Sequence, residues 1–242
     1  MTEWLQELKD AFILNFIDDD RWLYIVNGLL VTLKITFFAL IIGLVLGVLI
    51  ASVRSTHDNN IKTMHKSFGY YMLKILNWIC KIYLTVIRGT PVVVQLLIMY
   101  FVIMANYRDG VIVAIFAFGI NSGAYVAEII RGGIMSIDNG QFEAGRSLGF
   151  NYLRTMIHIV IPQVVKNVLP ALANEAIVLL KETSVAGYVA VQDLTKGGDI
   201  IRGRTFSAFM PLIAVALIYL IIVMVLTWLV GKLERSLRKN ER

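Results

Sequence analysis

The stretch Glu143-Ala144-Gly145-Arg146-Ser147-Leu148-Gly149 is a polar insertion in the second half of a very apolar chain. Its composition predicts a short helix over residues 141–147, and either Asp138 or Asn139 is expected to act as the N-cap. Glu143 is expected in the first turn, where the helix dipole favours an anionic side chain. The stretch therefore indicates a compact, charged helix between two apolar segments.

The end of this helix is predicted at Gly149, because glycine readily adopts the left-handed conformation that follows many helices. A new apolar run begins after it and contains Ile159, Ile161 and Pro162. Residues 138–154 are thus expected to form a polar loop between two membrane spans. These residues alone leave open the alternative that the loop has no special role.

The composition indicates an integral membrane protein of the all-α class. The chain has 242 residues, of which 57% are hydrophobic and 17% are charged. A membrane span needs roughly 20 apolar residues, so this length accommodates one domain, residues 1–242, with about five spans. The net charge of +6 does not indicate nucleic-acid binding, because the basic residues cluster beside the predicted spans. Cys80 is the only cysteine, which excludes an internal disulfide and a multi-cysteine metal site.

The apolar runs predict five transmembrane helices, separated by short polar segments. They lie within residues 22–53, 91–106, 111–130, 156–180 and 208–230. Pro162 and Pro170 are expected to interrupt the fourth span, because proline cannot donate a backbone hydrogen bond. The segment 182–206 between the last two spans is mixed in charge.

The charge distribution predicts the orientation of the spans. Residues 54–88 carry many cations and a single acid, Asp58, and a second basic group follows the last span. Lysine and arginine accumulate on the cytoplasmic side of membrane proteins, so both regions are expected to be cytoplasmic. Residues 1–20 are acidic and are expected outside. The cations of the two regions are Arg54, Lys62, Lys66, Lys74, Lys81 and Arg88, followed by Lys232, Arg235, Arg238, Lys239 and Arg242.

An amphipathic helix is predicted within the first basic region. Lys74, Lys81 and Arg88 recur every seven residues among apolar side chains at helical spacing. This pattern is typical of a helix that lies at the membrane interface. Thr90 as N-cap and Pro91 at the first helical position are expected to start the next helix.

Polar residues within membrane spans are costly, and they are therefore candidates for function. In the third span, Asn121, Tyr125 and Glu128 share one helix face, and Ser122 lies beside them. Asn121, Ser122 and Tyr125 either line a cavity or hold two helices together. For Glu128 we expect a salt bridge with Arg131 near the cytoplasmic end.

Two polar residues in the fourth span, Asn174 and Glu175, follow Pro170 by about one turn. A carboxylate buried there without compensation would be heavily penalised. Two explanations remain open. Glu175 either pairs with a lysine, Lys166 or Lys181, or it attracts the ammonium group of a ligand beside Asn174.

The polar loop carries a recognisable signature. Its spacing, Glu-Ala-Gly-x3-Gly-x9-Ile-x-Ile-Pro, resembles the cytoplasmic loop of binding-protein-dependent ABC importer permeases, which is usually Glu-Ala-Ala-x3-Gly-x9-Ile-x-Leu-Pro. Gly145 replaces the second alanine and Ile161 replaces the leucine. Both departures are mild, although Gly145 is expected to loosen the helix by roughly 0.5–1 kcal/mol relative to alanine.

The resemblance covers about residues 22–235. Three further motifs are similar to those of the polar amino-acid branch, which includes the histidine, arginine, glutamine and cystine permeases. They are Arg88-Gly89-Thr90-Pro91, Asn121-Ser122-Gly123-Ala124-Tyr125 and Leu180-Lys181-Glu182-Thr183-Ser184.

The resemblance implies a type I ABC importer permease fold, in which the polar loop is a coupling helix that docks into an ATPase subunit. The residues expected to take part in this coupling are Glu143, Ala144, Gly145, Arg146 and Gly149. The residues expected to bind the substrate, an amino acid, are Asn121, Ser122, Tyr125, Asn174 and Glu175.

The same resemblance implies partners and a location. The expected partners are two ATPase subunits, a second permease copy of the same or a similar kind, an extracytoplasmic substrate-binding protein and membrane lipids, but no nucleic acid. No Walker-type glycine loop occurs in the chain, so ATP and magnesium are expected in the ATPase and no cofactor in this chain. The protein is expected in the cell membrane, with its N-terminus outside and its C-terminus in the cytoplasm.

Two rival functions remain. A permease of the same architecture could carry another small solute. An intramembrane enzyme could use Glu128 or Glu175 as an acid or base, but the spans offer no second catalytic group or metal constellation beside them.

Overall fold

The structure is a computed structural model that describes residues 2–61, 64–107 and 109–239, and every regular element in those residues is helical. Lys62 of the predicted basic region and Arg242 of the basic tail lie outside the described residues. The α-helices are α1 (Thr2–Phe12), α2 (Trp22–Asn60), α3 (Phe68–Gly89), α4 (Val92–Ile98), α5 (Gly110–Met135), α6 (Asn139–Ser147), α7 (Tyr152–Thr155), α8 (Ile161–Glu182), α9 (Leu194–Thr205) and α10 (Phe209–Lys239).

Shorter helical turns extend several of these helices. Three are π-helical, at Ile13–Ile17, Met99–Ile103 and Met156–Val160. Two are 3₁₀-helical, at Asp18–Asp20 and Thr183–Val189.

Within the described residues, four helical stretches are long and apolar enough to cross a membrane. They are Trp22–Asn60, Gly110–Met135, Tyr152–Val189 and Phe209–Leu237. A fifth crossing is obtained if Phe68–Gly89 and Val92–Ile103 together form one broken span. The predicted second span, 91–106, is therefore too short on its own, because α4 and its π-helical extension end at Ile103.

The fourth span differs from its prediction at the two prolines. The π-helical turn Met156–Val160 ends just before Pro162, so the irregular backbone lies at the start of the span. Pro170 lies inside α8, which continues through it to Glu182. The loss of one backbone donor at Pro170 therefore does not end this helix.

The chain divides into two compact units. The first unit comprises Met1–Ala39, Val92–Phe118 and Ile177–Trp228. Its core contains the buried side chains of Ile25, Leu194, Ile201 and Val215.

Polar contacts within the first unit join segments that are distant in sequence. The fully buried Asn15 side chain accepts a hydrogen bond from Thr205 Oγ1 at 2.8 Å and donates one to Ala11 O, also at 2.8 Å. The backbone N–H of Leu194 donates to Thr32 Oγ1 at 3.0 Å. These contacts hold the segment after α1 and the start of α9 in place.

The second unit comprises Leu40–Pro91, Gly119–Ala176 and Leu229–Arg242. One buried cluster contains Ile134, Ile137, Val160, Val164 and Val168, and another contains Leu84, Ala124 and Ala127. A Cβ atom at Gly123 would lie 3.0 Å from both Leu46 Cβ and Tyr83 Oη. The absence of a side chain at Gly123 therefore lets α2 and α3 pack closely on α5.

Candidate functional site

The predicted short helix in the polar loop is α6, Asn139–Ser147. Asp138 is its N-cap, and its carboxylate accepts a hydrogen bond from Gly140 N at 2.6 Å. The helix begins two residues earlier than expected, so its first turn contains no acidic residue. The predicted placement of Glu143 in the first turn is wrong, and the helix dipole gives this carboxylate less stabilisation than anticipated.

The end of α6 confirms the prediction for Gly149. This residue has a φ of 81°, in the left-handed region that favours glycine. Its N–H donates to Arg146 O at 2.9 Å, and the N–H of Phe150 donates to Gly145 O at 3.0 Å. This pair of bonds is the Schellman motif, which satisfies two carbonyl groups at the helix end and fixes the direction of the following chain.

The predicted coupling residues lie on two different faces of α6. The side chains of Glu143 and Arg146 are exposed, as is Ala144, whereas Gly145 is buried. A Cβ atom at Gly145 would lie 2.6 Å from Thr155 Oγ1 and 2.7 Å from Thr155 Cγ2. Gly145 thus allows close packing between α6 and α7, a role that its low helix propensity does not suggest.

Other side chains hold α6 against the following helices. The Phe142 and Tyr152 rings stack at a centroid distance of 6.3 Å. Gln163 Nε2 donates to Gln141 Oε1 at 3.2 Å. Sequence reasoning missed these supports, because each joins residues whose proximity depends on the tertiary fold.

Leu148 is a further surface residue that the predicted coupling set omitted. It is the C-cap of α6, and its side chain is 71% exposed beside the charged face. The signal was present in the sequence, since a large apolar residue directly precedes the helix-ending glycine. A single exposed leucine is common on protein surfaces, so its exposure alone assigns it no role.

The buried polar site lies in the second unit, between α5 and α8. Ser122 Oγ donates a hydrogen bond to Glu175 Oε1 at 2.9 Å. Ser122 is fully buried, Glu175 is 8% exposed, and Asn121 beside Ser122 is 2% exposed. The structure thus brings Ser122 and Glu175 together, although they are far apart in sequence.

The other two predicted site residues are placed differently. Tyr125 is partly buried, and the Arg88 guanidinium lies 5.9 Å from the centroid of its ring. Asn174 is exposed and is not buried with Ser122 and Glu175. Lys166 and Lys181, the lysines considered as partners of Glu175, also have exposed side chains.

Glu128 belongs to an ion-pair network. Its carboxylate lies 3.4 Å from Arg88 Nη1 and 4.0 Å from Arg131 Nε. Arg131 also pairs with Asp58 at 2.8 Å. The predicted pairing of Glu128 with Arg131 is confirmed, and the closer of its two cationic partners is Arg88.

No group of three or more histidine, cysteine, aspartate or glutamate side chains that could hold a metal ion occurs in the described parts of the chain. The polar site itself contains the buried Glu175 carboxylate, which accepts a hydrogen bond from the Ser122 hydroxyl. Such a site is suited to binding a cationic or hydrogen-bonding group.

Comparison with known proteins gives a consistent result. Residues 43–239 match the family described as "Binding-protein-dependent transport system inner membrane component". The chain is 36% identical over 220 residues to the putative glutamine transport system permease protein GlnP of Rickettsia bellii. This alignment covers 89% of the present chain and 93% of the relative. It is also 36% identical over 221 residues to the arginine transport system permease protein ArtQ of Bacillus subtilis, and this alignment covers 90% of the present chain and 94% of the relative.

A solved structure agrees with these relatives. The crystal structure of an amino acid ABC transporter with histidines contains a chain that is 39% identical to this one. The two superpose with a TM-score of 0.77, and the match covers 88% of this chain and 94% of the other. The similarity in sequence is thus accompanied by a similarity in fold.

Proposed function

Because the chain belongs to the family of binding-protein-dependent transport system inner membrane components, we propose that it imports a polar amino acid as the transmembrane subunit of an ABC transporter. Proteins of this family are multi-pass membrane permeases rather than enzymes, and they act with ATPase and substrate-binding partners. The amino-acid class follows from the names of the glutamine and arginine permeases that this chain resembles. A permease for another small solute is the remaining alternative.

The proposed assembly contains two copies of this chain, or one copy and a similar permease, with two ATPase subunits. ATP and magnesium are bound by the ATPases. The N-terminus lies outside and the C-terminus in the cytoplasm, an orientation supported by the exposed lysines of α3, Lys74 and Lys81.

Energy coupling is proposed to occur through α6. Its exposed side chains, Glu143, Arg146 and Leu148, supply charge and apolar area for contact with the ATPase. The buried Gly145 and the Schellman turn at Gly149 fix the helix on the rest of the second unit. Closure of the ATPases would move α6, and the spans would then alternate between outward-facing and inward-facing states.

The proposed substrate contact rests on the buried Ser122–Glu175 pair. A carboxylate in this position is expensive to maintain within a membrane span, so a binding role gives a reason for its presence. A carboxylate can accept several hydrogen bonds, which suits the ammonium group that every amino acid carries. Asn121 and Tyr125 on α5 and the exposed Asn174 on α8 are proposed to complete the site.

The test is Glu175→Gln in the reconstituted transporter. Loss of a charge-assisted hydrogen bond worth about 1.5–3 kcal/mol predicts roughly ten- to a hundredfold weaker apparent affinity for uptake. Lys166→Gln is a matched control, because it removes an exposed charge from the same helix and should leave affinity unchanged.

The opposite result would show that Glu175 is structural. In that case Glu175→Gln would lower the folded yield, while the protein that does fold would take up the amino acid with unchanged affinity. The substrate site would then have to be sought without Glu175.

A further inference from the structure

A second polar site lies in the second unit, apart from the Ser122–Glu175 pair. A cavity of about 490 Å³ opens between the end of α2, α3 and α5. We call it the basic cavity. Its polar lining consists of Arg54, Lys81, Thr85, Arg88 and Glu128.

The basic cavity has more positive than negative charge. Glu128 is the acidic residue of its lining, and it is already shared between Arg88 and Arg131. Arg131 lies closer to Asp58, with 2.8 Å between Arg131 Nη1 and Asp58 Oδ2. Within the described parts of the chain, neither Arg54 nor Lys81 forms a salt bridge, so two cations of the lining are uncompensated.

The Arg54 side chain contributes a second cation to the lining of the cavity. Its Nε atom is buried, so an anion in the cavity would interact with the charge of the guanidinium rather than with this N–H group. The Lys81 ammonium and the Thr85 hydroxyl provide further donors on the same wall. These groups match the oxygen atoms of a phosphate.

The surroundings of the cavity indicate where such a phosphate would come from. The side of α3 near Lys81 carries exposed apolar residues, among them Trp78, Ile82 and Val86. They offer a surface for acyl chains directly beside the donors. A basic pocket between membrane helices with an adjoining apolar surface is suited to an acidic lipid. We propose that the basic cavity binds the phosphate of an anionic phospholipid, whose acyl chains lie along α3.

The proposal is tested with the complete transporter, purified with its ATPase subunits. Phosphatidylglycerol retention is measured by native mass spectrometry after exchange from nanodiscs, with phosphatidylcholine nanodiscs as the reference. Lys81→Gln is expected to weaken phosphatidylglycerol binding about fivefold, the effect of one cation near a lipid surface. Lys81→Arg keeps the charge and should retain binding.

Lys74→Gln is the matched control. Lys74 is exposed on the same helix, but it lies outside the lining and contacts the Tyr70 ring instead. Its removal should leave phosphatidylglycerol retention unchanged. Equal losses of phosphatidylglycerol retention in Lys74→Gln and Lys81→Gln would show that only general surface charge is involved and would overturn the proposal. Retention of phosphatidylcholine equal to that of phosphatidylglycerol would overturn it as well.

A further arm separates the two sources of phosphate. Inorganic phosphate is added to the transporter in phosphatidylcholine nanodiscs, and thermal stability is recorded. No stabilisation by inorganic phosphate, together with stabilisation by phosphatidylglycerol, supports the lipid site. Stabilisation by inorganic phosphate alone, lost in Lys81→Gln, would overturn the lipid assignment in favour of a soluble anion.

Discussion

Helix propensity and tertiary packing predict opposite effects of Gly145→Ala on the stability of α6. Helix propensity alone predicts that alanine stabilises α6 by roughly 0.5–1 kcal/mol. The structure predicts the reverse, because the new Cβ would lie 2.6 Å from Thr155 Oγ1 and 2.7 Å from Thr155 Cγ2. Thr155 is 1% exposed, its branched side chain is stiff, and its hydroxyl donates to Asn151 O at 3.1 Å, so it cannot easily move away.

The expected size of the effect follows from these two terms. Overpacking of a closely packed contact costs about 1–3 kcal/mol, which exceeds the gain in helix propensity. We therefore expect Gly145→Ala to destabilise α6 by about 1–2 kcal/mol net. This corresponds to amide hydrogen exchange that is about five- to thirtyfold faster in α6.

The assay is hydrogen exchange with mass spectrometry on the purified transporter, combined with a double-mutant cycle. Thr155→Ala removes the two nearest atoms, so the double variant with Gly145→Ala should recover at least about 1 kcal/mol of coupling. Gly132→Ala serves as a control, because a Cβ there meets no atom within 4 Å. Slower exchange in Gly145→Ala, or additive effects in the cycle, would refute the packing argument.

Two further predictions concern the ends of helices. Gly149→Val should impair substrate-stimulated ATP hydrolysis while the protein stays in the membrane, because a β-branched residue resists a φ of 81°. Gly149→Asn should have a smaller effect, because asparagine tolerates a positive φ better. Normal stimulation of ATP hydrolysis in the valine variant would show that this turn does not take part in coupling. Asp193 is the fully buried N-cap of α9 and accepts hydrogen bonds from Thr195 N and Lys196 N. Asp193→Ala should lower the free energy of unfolding by about 1 kcal/mol, measured by thermal unfolding, whereas Asp193→Asn should keep the cap. Burial raises the pKa of the Asp193 carboxyl. The contribution of Asp193 to stability should therefore fall as pH rises from the ordinary aspartate pKa through the raised value, and Asp193→Asn should lack this pH dependence. Identical dependence of stability on pH in the unmodified protein and in Asp193→Asn would contradict the raised pKa.

Features that depend on local sequence were predictable. Long apolar runs marked the spans, and Gly149 after a charged helical stretch marked the end of α6, because glycine is the residue that most easily takes a positive φ. Asp193 carried the same kind of local signal, as an aspartate directly before a helix. The mixed charge of the segment 182–206 does not reveal this signal, which depends on the position of a single aspartate.

The N-terminal helix α1 was also recoverable from sequence. Trp4, Leu8 and Phe12 recur every four residues, as on one face of a helix, and this spacing predicts a helix that the acidic side chains of residues 1–20 alone do not indicate. The helix N-terminus of α6 was misplaced by two residues because Asn139 and Gly140 have low helix propensity, and the Asp138 cap overrides that preference.

Contacts between distant residues were not predictable. The pairing of Ser122 with Glu175 and the contact of Gly145 with Thr155 both depend on how helices pack in three dimensions. For Gly145 this changes the interpretation, since a residue that weakens an isolated helix is required by the packing of this one. For Glu175 it identifies a hydroxyl donor where only lysine partners or a ligand had been considered.

The most direct test of the proposed function is ATP-driven accumulation of an amino acid in proteoliposomes. The transporter is reconstituted with its ATPase subunits and its binding protein, and labelled amino acids are offered on the side of the binding protein. We expect at least one polar amino acid to accumulate against its gradient when ATP is present on the opposite side, and none without ATP. ATP hydrolysis by the same vesicles with no accumulation of any amino acid, or accumulation that is independent of ATP, would contradict the assignment.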